Sequence, residues 1–191
     1  MIDSAISHIA SQLNQFLRRS LELSEDVVVV SNIHEQDGTV APNIDNKLVL
    51  FLTNIEKDTT PRAQPRAQAV SAGRTTLTTP PLHLNLYLMV AGYFSGNNYQ
   101  ESLKFLSNTV RFFQSVPVLD HGNTPDMDPG IDRLVLDIEN LDIQQLSNLW
   151  GVLSGKYLPS VLYKVRMVTV DAGAVTAEPF TVLETRPTAS G

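Results

Sequence analysis

The acidic residues between positions 120 and 132 have the types and spacing that come closest to a chemical site. Four aspartates, Asp120, Asp126, Asp128 and Asp132, fall within the segment DHGNTPDMDPGID. Loop carboxylates are the ligands that Ca²⁺ prefers, and a bound metal could serve a hydrolase. The spacing, however, departs from the EF-hand pattern and lacks its terminal Glu. Because tight turns also use Asp, Asn, Gly and Pro, we interpret the segment as turn chemistry and keep a metal-dependent hydrolase as the weaker alternative.

The other residue types that carry catalysis form no recognisable pattern. The histidines are scattered, and none stands beside a Ser or Cys as the base of a nucleophile would. They are His8, His34, His83 and His121. Cysteine is absent, and the sequence contains neither a Gly-rich nucleotide loop nor HExxH. We therefore expect a protein that is not an enzyme and that uses no cofactor or metal.

Three aromatic residues surround Pro159, namely Trp150, Tyr157 and Tyr163. Together they could line a small-molecule pocket, which would make the chain a monomeric adaptor or a ligand-binding module. Aromatic residues at a helix corner more often belong to a core, and Trp150 continues an apolar stripe at helical spacing. We therefore predict that Trp150 is buried and keep the ligand-binding module as an alternative.

Length and charge set the broad class. The chain has 191 residues, of which 18% are charged, and its net charge is −6. This length suits one domain, and the acidic balance argues against nucleic acid as a partner, because phosphate binding needs a concentrated basic surface. No apolar run reaches the ~20 residues of a membrane-spanning helix, and the first residues lack the basic segment of a secretory signal. We expect a cytoplasmic protein without direct membrane insertion.

The segment from Leu134 to Val170 is the expected centre of the fold. Its first residues alternate between apolar and polar types, which predicts a half-buried strand. Asp142, followed three residues later by Gln145, has the pattern of a capping box that begins a helix. Gly155 and Pro159 then end that helix, and a second alternating strand follows them.

Apolar periodicity predicts the remaining elements. They are an amphipathic helix at the N-terminus, strands at 26–33, 47–56 and 82–94, a helix from Asn98 to about 113, and a last strand at 176–184. The first strand is expected to be buried and the second to be central. Asn98 with Glu101 has a capping-box pattern, and residues 116–130 are rich in turn signals. This order predicts an α+β fold: a single mixed, largely antiparallel sheet with helices packed on its faces and a long arm between two strands.

The arm, residues 57–80, differs sharply in composition from the rest of the chain. Its sequence is KDTTPRAQPRAQAVSAGRTTLTTP, and apart from Asp58 its charges are all positive. We interpret it as an arm that contacts a partner, with a solvated linker as the alternative. The predicted partner contacts are the arginines of this arm and the cations on the polar face of the strand after Pro159. They are Arg62, Arg66, Arg74, Lys164 and Arg166.

Three long segments carry a resemblance to a known family. They are PPLHLNLYLMVAGYF, NYQESLKFLSNTVRFFQSVPV and LVLDIENLDIQQLSNLWGVLSGKYLPSVLYKVRMVTV. Together with the opening MIDSAISHIASQLNQFL and with KLVLFLTNIE, they resemble the N-terminal domain of the cap proteins of extracellular contractile injection systems, such as the antifeeding prophage. The resemblance covers most of residues 1–170 but does not extend to the arm or to residues after Asp171.

This resemblance implies a tail terminator with a phage tail-terminator-like fold and no catalytic residue. Such a protein forms a hexameric ring that closes the baseplate-distal end of the inner tube and sheath. Its implied partners are further copies of itself, the inner tube protein and the sheath protein. We expect a cap domain over residues 1–171 and a C-terminal extension over 172–191. The protein would be cytoplasmic during assembly and then part of an injection particle that is released from the cell.

Overall fold

The computed structural model describes residues 1–59, 77–78, 82–153, 156–170 and 175–177, of which 77–78, 167–170 and 175–177 are described by their backbone alone. Three α-helices and eight strands follow one another along these residues. They are α1 (Ile2–Leu21), β1 (Val28–Val30), β2 (Lys47–Lys57), β3 (Leu77–Thr78), β4 (Leu82–Tyr93), a 3₁₀ turn (Gly96–Asn98), α2 (Tyr99–Ser115), β5 (Val118–Asp120), β6 (Arg133–Ile138), α3 (Ile143–Val152), β7 (Ser160–Val170) and β8 (Val175–Ala177).

The strands belong to two compact units, each with its own sheet. The larger unit comprises Met1–Asp58 and His83–Thr169 and holds a six-stranded sheet of order β1-β2-β4-β7-β6-β5. In that sheet β1 runs parallel to β2, whereas β2–β4, β6–β7 and β5–β6 are antiparallel. In the smaller unit β3 pairs antiparallel with β8. The predicted α+β class, with a mixed and largely antiparallel sheet, is confirmed; the two-stranded sheet is an addition to it.

The first strand pair differs from the prediction. The sheet was predicted to be largely antiparallel, but its first pair, β1 with β2, is parallel, whereas β2 pairs antiparallel with β4. A parallel pair needs a long crossover, and residues 31–46 provide it. Ile33, Ala41 and Ile44 of this connection are buried against the sheet, so the link is part of the core. Because most residues of this connection are polar, the sequence does not indicate that it contributes to the core.

The ends of the sheet also depart from the prediction. The expected strand at 26–33 shrinks to three residues at an edge, where Val28 is buried but Val30 is 50% exposed. The opposite edge is β5, which lies inside the passage expected to consist of turns. Three residues are too few to produce a periodic signal. The last strand expected at 176–184 overlaps β8 at 176–177, and its other residues lie outside the described part of the chain.

The segment that was expected to be central keeps its order of strand, helix, corner and strand. Asp142 accepts from the Gln145 N–H at 2.7 Å, and its own N–H donates to Gln145 Oε1 at 2.9 Å, so the predicted capping box is confirmed. The flanking strands β6 and β7 are neighbours and antiparallel, with Ile138 opposite Tyr163. Pro159 aligns β7 with β4, because its carbonyl accepts from Gly92 N–H at 2.9 Å. Gly155 lies outside the described residues.

The capping box expected at Asn98 does not form. Asn98 is the N-cap of α2, but its side chain makes no cap hydrogen bond and instead donates to Asn46 Oδ1 at 3.0 Å. The helix is held by packing instead. Gly92 of β4 faces Ser102 of α2 so closely that a Cβ at position 92 would overlap the Ser102 hydroxyl. A larger residue at position 92 would therefore require the Ser102 side chain to move where α2 crosses the sheet.

The helices cover the sheet from both sides. On one face α1 and α2 pack together through the stacked rings of Phe16 and Phe112, with centroids 4.9 Å apart, and Phe113 contacts Tyr163 of β7. On the other face α3 places Trp150 in a cluster with side chains of the sheet and of the 31–46 connection. The buried members are Ile33, Ala41, Ile44, Val49, Phe51, Met89, Ala91, Trp150 and Leu162. Trp150 is 3% exposed, so its predicted burial is confirmed.

Candidate functional site

The predicted contacts Lys164 and Arg166 lie on the sheet face that α3 covers, but beyond α3. Leu162 of β7 packs with Trp150 of α3, so its side chain points to the face that α3 covers. Because side chains alternate along a strand, Lys164 and Arg166 point to the same face, farther along β7. In the strand order of the sheet, residues of three other strands lie near these two cations. We call this group the charged strip: Glu56 of β2, Tyr87 of β4, Lys164 and Arg166 of β7, and Asp137 of β6.

The charged strip is a continuous set of polar contacts. The Tyr87 hydroxyl donates to Glu56 Oε2 at 2.8 Å. Lys164 Nζ lies 3.8 Å from the same oxygen and 5.2 Å from the centre of the Tyr87 ring, a cation–π arrangement. Arg166 Nη2 donates to Asp137 Oδ2, and Asp137 is directly opposite Lys164 in the ladder. Two cations and two carboxylates therefore alternate across the strip, and their formal charges cancel.

The strip keeps this charge pattern at neutral pH. The pKa of Lys164 is raised, chiefly by its hydrogen-bonding interaction with Tyr87 and further by the Glu56 and Glu139 carboxylates. The pKa of Tyr87 is also raised, mainly because burial disfavours the phenolate. Lys164 is thus cationic and Tyr87 is neutral. The side chains of Arg166 and Asp137 are 47% and 51% exposed, and ion pairs this exposed contribute only ~0–1 kcal/mol to stability.

This arrangement has the properties of a recognition surface. Its ion pairs can be exchanged for pairs with a partner at little cost in folding free energy, because each contributes so little to it. Alternating charge favours one register of a complementary surface over others. The predicted contacts Arg62, Arg66 and Arg74 of the arm lie outside the described residues.

The acidic segment that suggested a metal is built from turns. Asp120 Oδ1 accepts from the N–H groups of Gly122 and Asn123 at 2.8 and 3.1 Å, and Asp128 Oδ1 accepts from Gly130 N–H at 2.8 Å. These hydrogen bonds confirm the interpretation as turn chemistry. Within the described ranges, no three His, Asp or Glu residues are grouped so that they could hold a metal ion. The carboxylates of Asp120 and Asp128 are therefore engaged in the turns of this segment.

The aromatic residues around Pro159 do not share a pocket. Trp150 packs with Leu162 on the α3 face and meets Tyr157 edge to face at 5.8 Å. Tyr163, the next residue after Leu162, faces the other side and contacts Phe113 at 4.9 Å. Burial raises the pKa of Tyr163. A ligand pocket formed by Trp150 and Tyr163 together is therefore excluded, because the sheet separates them.

Sequence reasoning missed three members of the charged strip, Glu56, Tyr87 and Asp137. The alternation along each strand shows that these residues lie on a polar or mixed face. It does not show that β4 and β7 are neighbours, because α2, β5, β6 and α3 lie between them in the chain. The sequence pattern alone therefore does not predict the charged strip, because the order of the strands in the sheet is also needed.

His8 is a buried titratable residue that the sequence did not single out. It lies on α1 and is 8% exposed. Its pKa is lowered, mainly by burial and further by the nearby His121, while the Asp126 carboxylate opposes the shift. Position 8 lies outside the apolar stripe of α1, so the helical spacing gives no signal for the burial of His8.

Comparison with known proteins gives one family and a similar fold. The family model described as the Pvc16 N-terminal domain matches residues 5–184, a range that includes the arm and residues beyond 171. No curated protein matches the sequence. Within the described part of the chain, no helix has the length and apolar character needed to cross a bilayer.

Two solved structures have a similar fold. One is the cryo-EM structure of a PVC sheath/tube terminator in the extended state, from an extracellular contractile injection system, with a TM-score of 0.65 and 17% identity. The other is the cryo-EM structure of the anti-feeding prophage cap, described as the AFP tube terminating cap, with a TM-score of 0.54 and 14% identity. The matches cover 100% and 94% of this chain, which spans 64% and 59% of the length of those two chains.

Proposed function

The chain belongs to the Pvc16 N-terminal domain family, and from this membership we propose that it acts as the structural cap, or tail terminator, of a phage-tail-like contractile injection system. The observation that carries the proposal is the family match over residues 5–184. The similarity of fold to a sheath/tube terminator and to a tube terminating cap supports it. The cap role is structural and requires no enzymatic activity.

The proposed assembly is a homohexameric ring at the baseplate-distal end of the inner tube and sheath. A closed ring lets one heterologous interface be satisfied around the whole circle, so no copy is left with an open contact. The tube protein, the sheath protein and neighbouring copies of the chain are the proposed partners. Neither nucleic acid nor a membrane is among them. Assembly takes place in the cytoplasm, and the cap then remains in the particle.

The charged strip is the proposed contact surface of the cap domain, residues 1–171. Lys164 and Arg166 would exchange Glu56 and Asp137 for carboxylates of a partner, or share them with it. Such contacts set register and partner choice more than affinity. Arg62, Arg66 and Arg74 of the arm would add further contacts, since guanidinium groups bind carboxylates in a bidentate geometry that Lys does not match. Residues 172–191 form the proposed C-terminal extension.

Deletion of the coding sequence tests the cap role. Without a terminator, we expect tubes and sheaths of irregular or excessive length, or particles that fail to mature, and complementation with the wild-type chain should restore uniform particles. Electron microscopy of purified particles measures the length distribution. Particles of normal, uniform length and contractility from the deletion strain would contradict the proposal.

A further inference from the structure

The two edges of the six-stranded sheet are places where another chain could add a strand. Strand order makes β1 and β5 the edges. An edge strand presents backbone N–H and C=O groups that a further strand can pair with. Strand β1 is especially prone to pair with a strand of another chain, because residues 27–30 are four consecutive valines and Val30 is 50% exposed.

At the first edge, one asparagine side chain occupies the outward backbone groups of Val28, the first residue of β1. The Val27 carbonyl and Ser31 N–H bond to β2, so alternation directs the backbone groups of Val28 away from the sheet. Asn14 of α1 meets both of them: its Oδ1 accepts from Val28 N–H at 2.8 Å, and its Nδ2 donates to the Val28 carbonyl at 2.9 Å. Oδ1 also accepts from Val27 N–H at 3.0 Å. Asn14 is 8% exposed, so these hydrogen bonds are shielded from water.

The opposite edge is closed in the same way. The Pro117 carbonyl bonds to β6, which directs the groups of Val118 and Asp120 outward. Asn123 Nδ2 donates to the Val118 carbonyl at 2.7 Å, and Asn123 Oδ1 accepts from Asp120 N–H at 3.0 Å. The Asp120 carbonyl accepts from Thr124 N–H at 2.8 Å and from its hydroxyl at 2.9 Å.

We propose that Asn14 and Asn123 are edge plugs, which hold both edges of the sheet closed against strand addition by a second copy of this chain. A carboxamide carries the same donor and acceptor pair as a peptide group, so each side chain takes the place that a neighbouring strand would occupy. The two plugs come from unrelated elements, a helix and a turn, yet each satisfies one outward C=O and one outward N–H: those of Val28 for Asn14, and those of Val118 and Asp120 for Asn123. The plugs act wherever copies of the chain meet, whether or not the chain serves as a cap.

Three single variants of the full chain test the plugs. Asn14→Ala and Asn123→Ala each remove one plug, and Asn108→Ala is the control, since Asn108 donates to the Lys104 carbonyl on α2 at 2.9 Å, away from either edge. Hydrogen exchange should show the plugged amide, Val28 or Asp120, exchanging at least roughly tenfold faster in dilute protein. Sedimentation velocity should then show concentration-dependent species larger than those of wild type. The control should match wild type in both measurements.

A fourth variant separates strand addition from simple loss of stability. In Asn14→Ala, the further change Val30→Lys places a charge on the opened edge, which discourages pairing without restoring the lost hydrogen bonds. We expect it to return sedimentation to the wild-type pattern while Val28 still exchanges fast. If Asn14→Ala does not fold, Asn123→Ala decides, because Asn123 is exposed. The proposal would be overturned if the edge amides of the Asn→Ala variants exchanged fast but the variants did not associate more than wild type. It would also be overturned if the protection of these amides from hydrogen exchange were unchanged.

Discussion

The two faces of the six-stranded sheet are covered very differently. On one face α1 and α2 bury side chains along their length, from Ala5 to Leu17 and from Ser102 to Phe113. On the other face, Trp150 alone is buried among the described residues of α3, and the sheet beyond it carries the charged strip. Helix packing is thus concentrated on one side of the sheet, while the other side keeps an accessible polar surface.

Removal of Trp150 is expected to have the largest effect. Trp150 is 3% exposed and anchors α3, so Trp150→Ala should lower the free energy of unfolding by ~3–5 kcal/mol, as large-to-small changes in a core do. Ile143→Ala is the matched control on the same helix, because Ile143 is 86% exposed and its loss should cost no more than ~0.5 kcal/mol. Denaturant unfolding measures both. Equal stabilities for the two variants would show that α3 is not anchored by Trp150.

Reversal of charge in the strip should weaken attachment to the particle by about tenfold, and by more than in the control variant. The test variant is Lys164→Glu with Arg166→Glu. The control is Lys104→Glu with Arg111→Glu, which makes the same change in net charge at exposed positions of α2. The amount of cap per purified particle measures attachment. Equal loss in both variants would assign the effect to net charge and contradict a role for the strip.

A charge swap separates the order of charges in the strip from its ion pairing. Asp137→Arg with Arg166→Asp keeps an ion pair within the chain but reverses the order of charges that a partner meets. Stability should stay within ~1 kcal/mol of wild type, while attachment falls. Full attachment of the swapped chain would show that the strip serves the fold alone.

The smallest expected effect is the pH dependence contributed by His8. Burial lowers the pKa of His8 in the folded protein. As pH falls through ~6.5, His8 is therefore protonated in the unfolded chain before it is protonated in the folded protein. The stability that His8 contributes is therefore present above that pH and is lost as pH falls towards the lowered pKa. His8→Gln should flatten the dependence of unfolding free energy on pH in this window. A slope unchanged from wild type would contradict the assignment.

The sequence predicted the features that depend on local pattern. The amphipathic α1, the capping box at Asp142 and the burial of Trp150 each follow from spacing within one element. The parallel β1–β2 pair depends on a crossover whose apolar residues, Ile33 and Ile44, have no regular period. The charged strip depends on strands that are distant in sequence becoming neighbours, which no local pattern encodes.

The most direct test of the cap role is to average images of the baseplate-distal end of particles from the wild-type and deletion strains. We expect a six-fold ring that closes the tube and sheath in wild-type particles and is missing from particles of the deletion strain. Density at that end that is unchanged by the deletion, or a ring of another symmetry such as five-fold, would contradict this expectation.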